Sequence, residues 1–128
     1  MPKTAADLTS EEIEIYRQTA RRRRRQEERR LTERRERAWT VARQAARLLK
    51  DRFGARRVVV FGSLAREGRF RRWSDVDLAV WGIRPEDYYR AVSKVLDMTT
   101  EFKIDLVDVT SCRPSLRAAI EREGIDLL

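Results

Sequence analysis

The sequence has little of what would stabilise a secreted or a membrane-embedded chain. Cys112 is the only cysteine, so no intrachain disulfide can form, which fits a reducing compartment. The longest uninterrupted apolar runs have four residues, as in Val58–Phe61, whereas about 20 are needed to span a bilayer. The N-terminal segment MPKTAADLTSEEIEIYRQ has no apolar signal-peptide core. We therefore expect a soluble, cytoplasmic protein with no membrane segment.

Glycine and proline are also scarce, with five and three residues in the chain. Neither occurs between Thr9 and Gly54, and Thr9 with Glu12 has the pattern of a capping box. We predict a helix of up to about forty residues that starts at this box and ends at Gly54. Its second half has an apolar stripe at helical spacing that predicts packing on a core: Ala38, Val41, Ala42, Ala45, Leu48, Leu49 and Phe53.

Positive charge is concentrated in the first half of the chain. Residues 1–57 have 18 Lys and Arg against 9 Asp and Glu, whereas residues 58–128 have 11 against 12. A basic half indicates an acidic partner, which is nucleic acid, anionic lipid or an acidic protein surface. Leu31 is the only large apolar residue in residues 17–37. We interpret residues 1–37 as a basic helical extension and residues 38–128 as the folded domain.

Three interpretations of this extension stay open. It is a solvated helix, an arm that docks a partner protein, or a nucleic-acid contact. Because no aromatic residues are interleaved with the arginines of residues 17–37, the arm is favoured over nucleic acid.

The rest of the chain alternates strands with helices. The patterns predict strands at Arg57–Phe61, Asp75–Trp81 and Lys103–Val109, with a short final strand at Ile125–Leu128. Pro85 and Pro114 each begin a predicted helix, and Gly124 ends the second one. This alternation predicts an α/β or α+β sheet domain. We expect four aromatic side chains to pack in or around the core: Trp73, Trp81, Tyr88 and Tyr89.

Two aspartates at the start of the second strand predict a metal site. Because side chains alternate along a strand, Asp75 and Asp77 share one face, with their roots about 7 Å apart. Two carboxylates this close repel each other and raise each other's pKa unless a cation lies between them. Asp105 on the third strand can present another carboxylate beside them, and Mg²⁺ is the usual cation for oxygen ligands of this kind. Asp108 points to the other face and is interpreted as a surface or turn residue.

The first strand ends at Gly62 and Ser63, which predict a phosphate site. Glycine allows phosphates to approach the backbone closely, and the following amides and the Ser63 hydroxyl can donate hydrogen bonds to them. A phosphate site together with three carboxylates is typical of two-metal phosphoryl or nucleotidyl transfer.

The segments FGSLAR, SDVDLAV and KIDLVDV resemble the minimal nucleotidyltransferases of the DNA polymerase β-like superfamily. That family's pattern is Gly-Ser, about ten residues, Asp-x-Asp, and a later Asp on another strand. Here eleven residues separate Ser63 from Asp75, one more than usual. The resemblance covers roughly residues 38–128. It implies an α+β fold with a small mixed β-sheet packed with helices, preceded here by the long N-terminal helix.

The resemblance also implies roles for single residues in transfer of AMP from ATP, with release of pyrophosphate. Asp75 and Asp77 bind two Mg²⁺ ions. Asp105 binds one of the metals and helps to deprotonate the acceptor hydroxyl, so these three aspartates are both the catalytic and the metal residues. Gly62 and Ser63 hold the triphosphate. Arg66 matches an arginine that neutralises phosphate charge, and is equally well interpreted as a surface residue.

The family commonly acts as antitoxins paired with HEPN-domain RNase toxins. We therefore expect a protein adenylyltransferase of type VII-like antitoxin character, with a tyrosine of a HEPN-domain toxin as acceptor and the basic helix contacting this partner. The alternatives are a non-catalytic antitoxin that masks the toxin, a nucleic-acid-binding module, or a nucleotidyltransferase that acts on a nucleic acid or a small molecule. The sequence leaves the nucleotide base, the acceptor and the oligomeric state open.

Overall fold

The computed structural model describes residues 4–127. The first three residues of the predicted extension and Leu128 of the predicted last strand lie outside this part. The chain divides into two compact units, Met1–Glu33 and Arg34–Leu128. The boundary that the sequence predicts, between residues 37 and 38, remains a prediction.

Helices and strands follow one another much as the sequence predicts. They are helices α1 (Ser10–Phe53), α2 (Tyr88–Leu96) and α3 (Pro114–Glu123), with strands β1 (Arg57–Phe61), β2 (Val76–Trp81), β3 (Ile104–Asp108) and β4 (Ile125–Leu127). The α+β class and the long N-terminal helix are confirmed. No helix of residues 4–127 is long and apolar enough to cross a bilayer.

Helix α1 has 44 residues, and the signals for both of its ends are confirmed. At its start, the Glu12 N–H donates to Thr9 Oγ1 at 3.1 Å, which satisfies one of the amides that a helix start leaves unpaired. At its end, Gly54 adopts a φ of 70°, and the Ala55 N–H donates to the Leu49 carbonyl at 3.1 Å. Only glycine adopts this left-handed conformation without steric cost, so Gly54 fixes the end of the helix.

The four strands form one mixed sheet in the order β3-β2-β1-β4. Strand β1 is antiparallel to both β2 and β4, and β2 is parallel to β3. This topology places β2 and β3, the two strands with predicted site residues, next to each other.

Side-chain alternation gives the sheet two different faces. The even-numbered residues of β1 and β2 belong to the main core, together with buried residues of α1. Opposite them, Val59 and Ala79 join Val109 and Ile120 in a smaller cluster. The stripe predicted on α1 is largely confirmed, and it also includes Ala46, which is fully buried. Asp77 shares the face of Ala79, so the main core is packed without burying its charge.

Three predictions need correction. Pro85 begins a short 3-10 turn, and the α-helix starts only at Tyr88. Trp73 and Tyr89 are 83% and 84% exposed, so the expectation that they pack is wrong. Trp81 does pack against the smaller cluster, and the half-buried Tyr88 donates its hydroxyl to the Leu106 carbonyl at 2.6 Å.

Candidate active site

The parallel pairing of β2 with β3 brings two of the predicted carboxylates side by side. Asp77 and Asp105 are direct register partners, on strands that lie about 4.8 Å apart. Asp75 immediately precedes β2 and has the same side-chain parity as Asp77. The three aspartates that the sequence singles out therefore lie where β2 and β3 begin, and they share one face of the sheet.

Asp77 is the most perturbed carboxyl group of this cluster. Its pKa is raised to about 6, first by burial and then by the Asp105 and Asp75 carboxylates, because like charges repel. A hydrogen bond to Asp105 also favours the protonated form, whereas the charge of Lys103 opposes the shift.

Gly62 meets this carboxylate from the neighbouring strand. Phe61 is the register partner of Asp77, and Gly62 follows it with a φ of 70°. A Cβ atom at Gly62 would lie 2.3 Å from Asp77 Oδ2, far inside van der Waals contact. Glycine is therefore required here twice, by its backbone angle and by the space that Asp77 occupies.

Ser63 and Leu64 continue into a 3-10 turn, Gly62–Ala65. Leu64 is fully buried and fixes the turn to the core, whereas Ser63 stays partly exposed. The turn thus begins beside the Asp77 carboxylate, which is where the sequence predicts the triphosphate.

Arg66 is engaged elsewhere. Its guanidinium pairs with Glu123 at the end of α3, with Nε 3.2 Å from Oε2, and this contact lowers the pKa of Glu123. For Arg66 to contact a phosphate, it must exchange Glu123 for the phosphate. Its phosphate role stays a prediction.

Residues 43–128 match the family described as "Polymerase beta, Nucleotidyltransferase". The chain belongs to this nucleotidyltransferase family. Among solved structures, a candidate minimal nucleotidyltransferase is 37% identical, with a TM-score of 0.52 over 65% of this chain and 86% of that one. No curated protein sequence matches the chain.

Two toxin–antitoxin structures also resemble this nucleotidyltransferase. One is the tri-AMPylated Shewanella oneidensis HEPN toxin in complex with MNT antitoxin, at 20% identity, 71% of each chain and a TM-score of 0.54. The other is a toxin–antitoxin with AMP-PNP, at 24% identity, 67% of this chain, 72% of that chain and a TM-score of 0.56. At these identities the likeness shows the fold, which is that of a minimal nucleotidyltransferase.

The donor set of the candidate site suits a hard cation. Its side chains offer carboxylate oxygens, and the neighbouring carboxylates Asp105 and Asp75 contribute to the raised pKa of Asp77. Within residues 4–127, no group of three or more Asp, Glu, Cys or His side chains is placed to hold a metal ion by itself. Mg²⁺ is usually held by one or two carboxylates with water and substrate phosphates. An adjacent pair with a third carboxylate nearby fits this mode of binding.

Sequence reasoning missed Lys103 at this nucleotidyltransferase site. Its Nζ lies 3.9 Å from Asp105 Oδ1, and its carbonyl accepts a hydrogen bond from the Val76 N–H at 2.9 Å. The sequence could have predicted this contact, because Lys103 and Asp105 are two residues apart and residues at this spacing on a strand share a face. The contact between Gly62 and Asp77 was missed for another reason, since it depends on strand register.

Proposed function

We propose that this chain is a Mg²⁺-dependent protein adenylyltransferase that transfers AMP from ATP to a tyrosine hydroxyl of a HEPN-domain toxin. It acts as an antitoxin in the cytoplasm. The observation that carries the proposal is the pairing of Asp77 with Asp105 against Gly62, in a chain of the nucleotidyltransferase family. The AMPylated HEPN toxin and the AMP-PNP in the two similar structures favour ATP as donor and a HEPN-domain protein as acceptor.

In the proposed reaction the acceptor oxygen attacks the α-phosphorus of ATP. A new P–O bond forms, the bond from the α-phosphorus to the bridging oxygen breaks, and pyrophosphate leaves with that electron pair. Asp105 takes the proton of the acceptor hydroxyl, in keeping with its position beside Asp77 on the adjacent strand. Mg²⁺, when bound by Asp75, Asp77 and Asp105, would neutralise charge on the phosphates.

The nucleotide-binding residues have separate tasks. Gly62 leaves room for the Asp77 carboxylate and for phosphate oxygens close to the backbone. Ser63 donates its hydroxyl to the triphosphate. Arg66 supplies positive charge once it releases Glu123.

The basic first part of α1 has a proposed role in recognising the partner. Residues 17–30 have eight arginines and two glutamates, and Arg30 pairs with Glu27 at 3.4 Å. The remaining charge favours an acidic surface of the toxin through complementarity.

The test uses a HEPN-domain toxin as the acceptor. Incubation with ATP and Mg²⁺ is followed by intact-mass measurement and peptide mapping. We expect wild-type protein to add AMP to a tyrosine, Asp75→Asn to add none, and Asp97→Asn, which changes an exposed aspartate on α2's C-terminal side, to match wild type. Equal AMP addition by wild type and Asp75→Asn would refute the enzymatic claim. Neutralisation of the toxin by Asp75→Asn without AMP addition would favour the non-catalytic antitoxin instead.

A further inference from the structure

The loop that leads into Asp75 has a fixed conformation. We refer to residues 66–74 as the Trp73 loop. The Arg69 N–H donates to the Arg66 carbonyl at 3.2 Å, and the Ser74 N–H donates to the Arg71 carbonyl at 3.1 Å. The Arg71 N–H in turn donates to Ser74 Oγ at 2.7 Å. These bonds close two successive turns, so the loop presents its side chains in a defined arrangement.

Phe70 anchors the same loop to the domain. Its side chain is 5% exposed, and its ring centroid lies 6.3 Å from that of Phe102. The Arg34 guanidinium lies 4.5 Å from the Phe102 centroid and 5.7 Å from that of Phe70. A cation over aromatic rings in a partly desolvated place contributes about 0.5–2 kcal/mol. The loop is thereby held on the core at its middle.

Trp73 projects from this anchored loop into solvent. It is 83% exposed, and the Arg72 guanidinium lies 5.5 Å from its ring centroid. Arg69, Arg71 and Arg72 are exposed, and none of them forms an ion pair with another described residue. Tryptophan and arginine are the residue types that dominate binding energy at protein interfaces. An exposed Trp beside three arginines that form no ion pair with the described residues therefore has the composition of an interface centre.

The chemistry favours a protein partner over a nucleic acid. Proteins that bind single strands stack successive bases on several aromatic rings, and the Trp73 loop exposes one. Arg72 already covers part of that ring. One aromatic anchor with cations around it fits instead a pocket that is rimmed by carboxylates.

We propose that the Trp73 loop docks the acceptor protein, with Trp73 in an apolar pocket and Arg69, Arg71 and Arg72 against acidic residues. This inference rests on the proposed function, because it assigns the surface that brings the acceptor to the same site. Trp73 lies two residues before Asp75, so a protein bound at the loop has its hydroxyl-bearing segment beside the carboxylates.

The experiment measures docking without catalysis. The same HEPN-domain toxin is titrated in a calorimeter, without ATP, into wild type, Trp73→Ala, Trp73→Phe and Tyr89→Ala. Tyr89 is the matched control, because it is 84% exposed and lies on α2. We expect Trp73→Ala to weaken binding about tenfold or more, Trp73→Phe to recover part of the affinity, and Tyr89→Ala to match wild type.

Charge reversal tests the arginines in the same assay. Arg71→Glu is expected to weaken binding and to make the affinity less sensitive to salt. Arg47→Glu, at an exposed arginine in the second half of α1, is expected to behave as wild type.

The possible outcomes separate this inference from the proposed function. If Trp73→Ala binds the partner as wild type does, docking at this loop is refuted, although AMP addition by both proteins would leave the proposed function intact. If Trp73 is needed for binding but wild type adds no AMP, docking stands and the enzymatic claim fails. Trp73→Ala could instead weaken binding of a short single-stranded RNA, or of ATP, and leave partner binding unchanged. This result would assign the loop to nucleotides and overturn the inference. If the partner binds neither wild type nor Trp73→Ala, docking at this loop is refuted, and AMP addition decides the proposed function separately.

Discussion

Asp77 of β2 and Asp105 of β3 are register partners in a parallel pair of strands, and burial beside the Asp105 and Asp75 carboxylates raises the pKa of Asp77 to about 6. The repulsion between these carboxylates is a cost that a purely structural sheet does not need. A bound cation would remove it. Gly62 leaves the space that the Asp77 carboxylate of this pair occupies.

Gly62→Ala is expected to abolish nucleotidyl transfer. The new Cβ would lie 2.3 Å from Asp77 Oδ2 and must displace it, and a displacement of about 1 Å in a catalytic group costs on the order of 10²-fold in rate. Gly68→Ala is the matched control, because Gly68 has a φ of 72° but nothing within 4 Å of a new Cβ. Initial rates should fall only for Gly62→Ala, and a similar loss in both variants would point to backbone strain instead.

Without metal, the stability of the chain should fall as the pH rises from about 4 to above 6. The pKa of Asp77 is raised to about 6 in the folded state, against about 3.9 when unfolded. The folded chain therefore binds more protons than the unfolded chain between these values, and this contribution to stability is lost as pH rises. Asp77→Asn should be more stable than wild type at pH 7.5 by about 1–2 kcal/mol, after allowance for solvent screening.

Urea unfolding at pH 5 and pH 7.5 in the presence of a chelator measures this difference. A variant that is less stable than wild type at both pH values would contradict the raised pKa.

Mg²⁺ with a non-hydrolysable ATP analogue should stabilise wild type against thermal unfolding. Ligand at about 100 times its dissociation constant contributes about 2.7 kcal/mol. Asp75→Asn should lose most of this shift and Asp97→Asn should keep it. An equal melting-temperature shift in both variants would exclude Asp75 from the binding site.

Substitutions of Glu123 and of Arg66 should change the KM for ATP in opposite directions. Because Arg66 is held by Glu123, Glu123→Gln frees the guanidinium and is expected to lower the KM for ATP, whereas Arg66→Ala is expected to raise it. Glu121→Gln, which removes a partner of Arg57, serves as the control. If all three variants keep the wild-type KM, Arg66 is a surface residue.

Replacing Arg21–Arg25 with glutamine should weaken binding of the toxin and leave the sheet domain equally stable. All five side chains are exposed, and glutamine has nearly the helix propensity of arginine. The salt dependence of binding should decrease with the charge. Arg43→Gln with Arg47→Gln, also on α1, is the control. Loss of RNA binding with unchanged toxin binding would favour the nucleic-acid interpretation of this segment.

The sequence was sufficient for the features that depend on local pattern. The cap at Thr9, the end at Gly54 and the alternation of Val76 and Leu78 with Asp77 follow from neighbouring residues, and the structure confirms them. The pairing of Asp77 with Asp105 could be expected only through the order of the motifs, because strand adjacency is a long-range property.

Other features depend on contacts distant in sequence. The exposure of Trp73 follows from Phe70, which takes the buried place in the loop beside Phe102 and Arg34. The attachment of Arg66 to Glu123 likewise joins residues 57 apart in sequence. Neither contact has a local pattern, and the aromatic content of the loop alone favoured the wrong prediction for Trp73.

The most direct test of the central claim follows which phosphate of ATP reaches the acceptor. The HEPN-domain protein is incubated with Mg²⁺ and ATP labelled either at the α- or at the γ-phosphorus, together with wild type, Asp77→Asn or Asp105→Asn. Wild type is expected to transfer the α-label and to release the γ-label as pyrophosphate, and both variants are expected to transfer neither label. Transfer of the γ-label, or α-label transfer that survives both substitutions, would contradict the central claim.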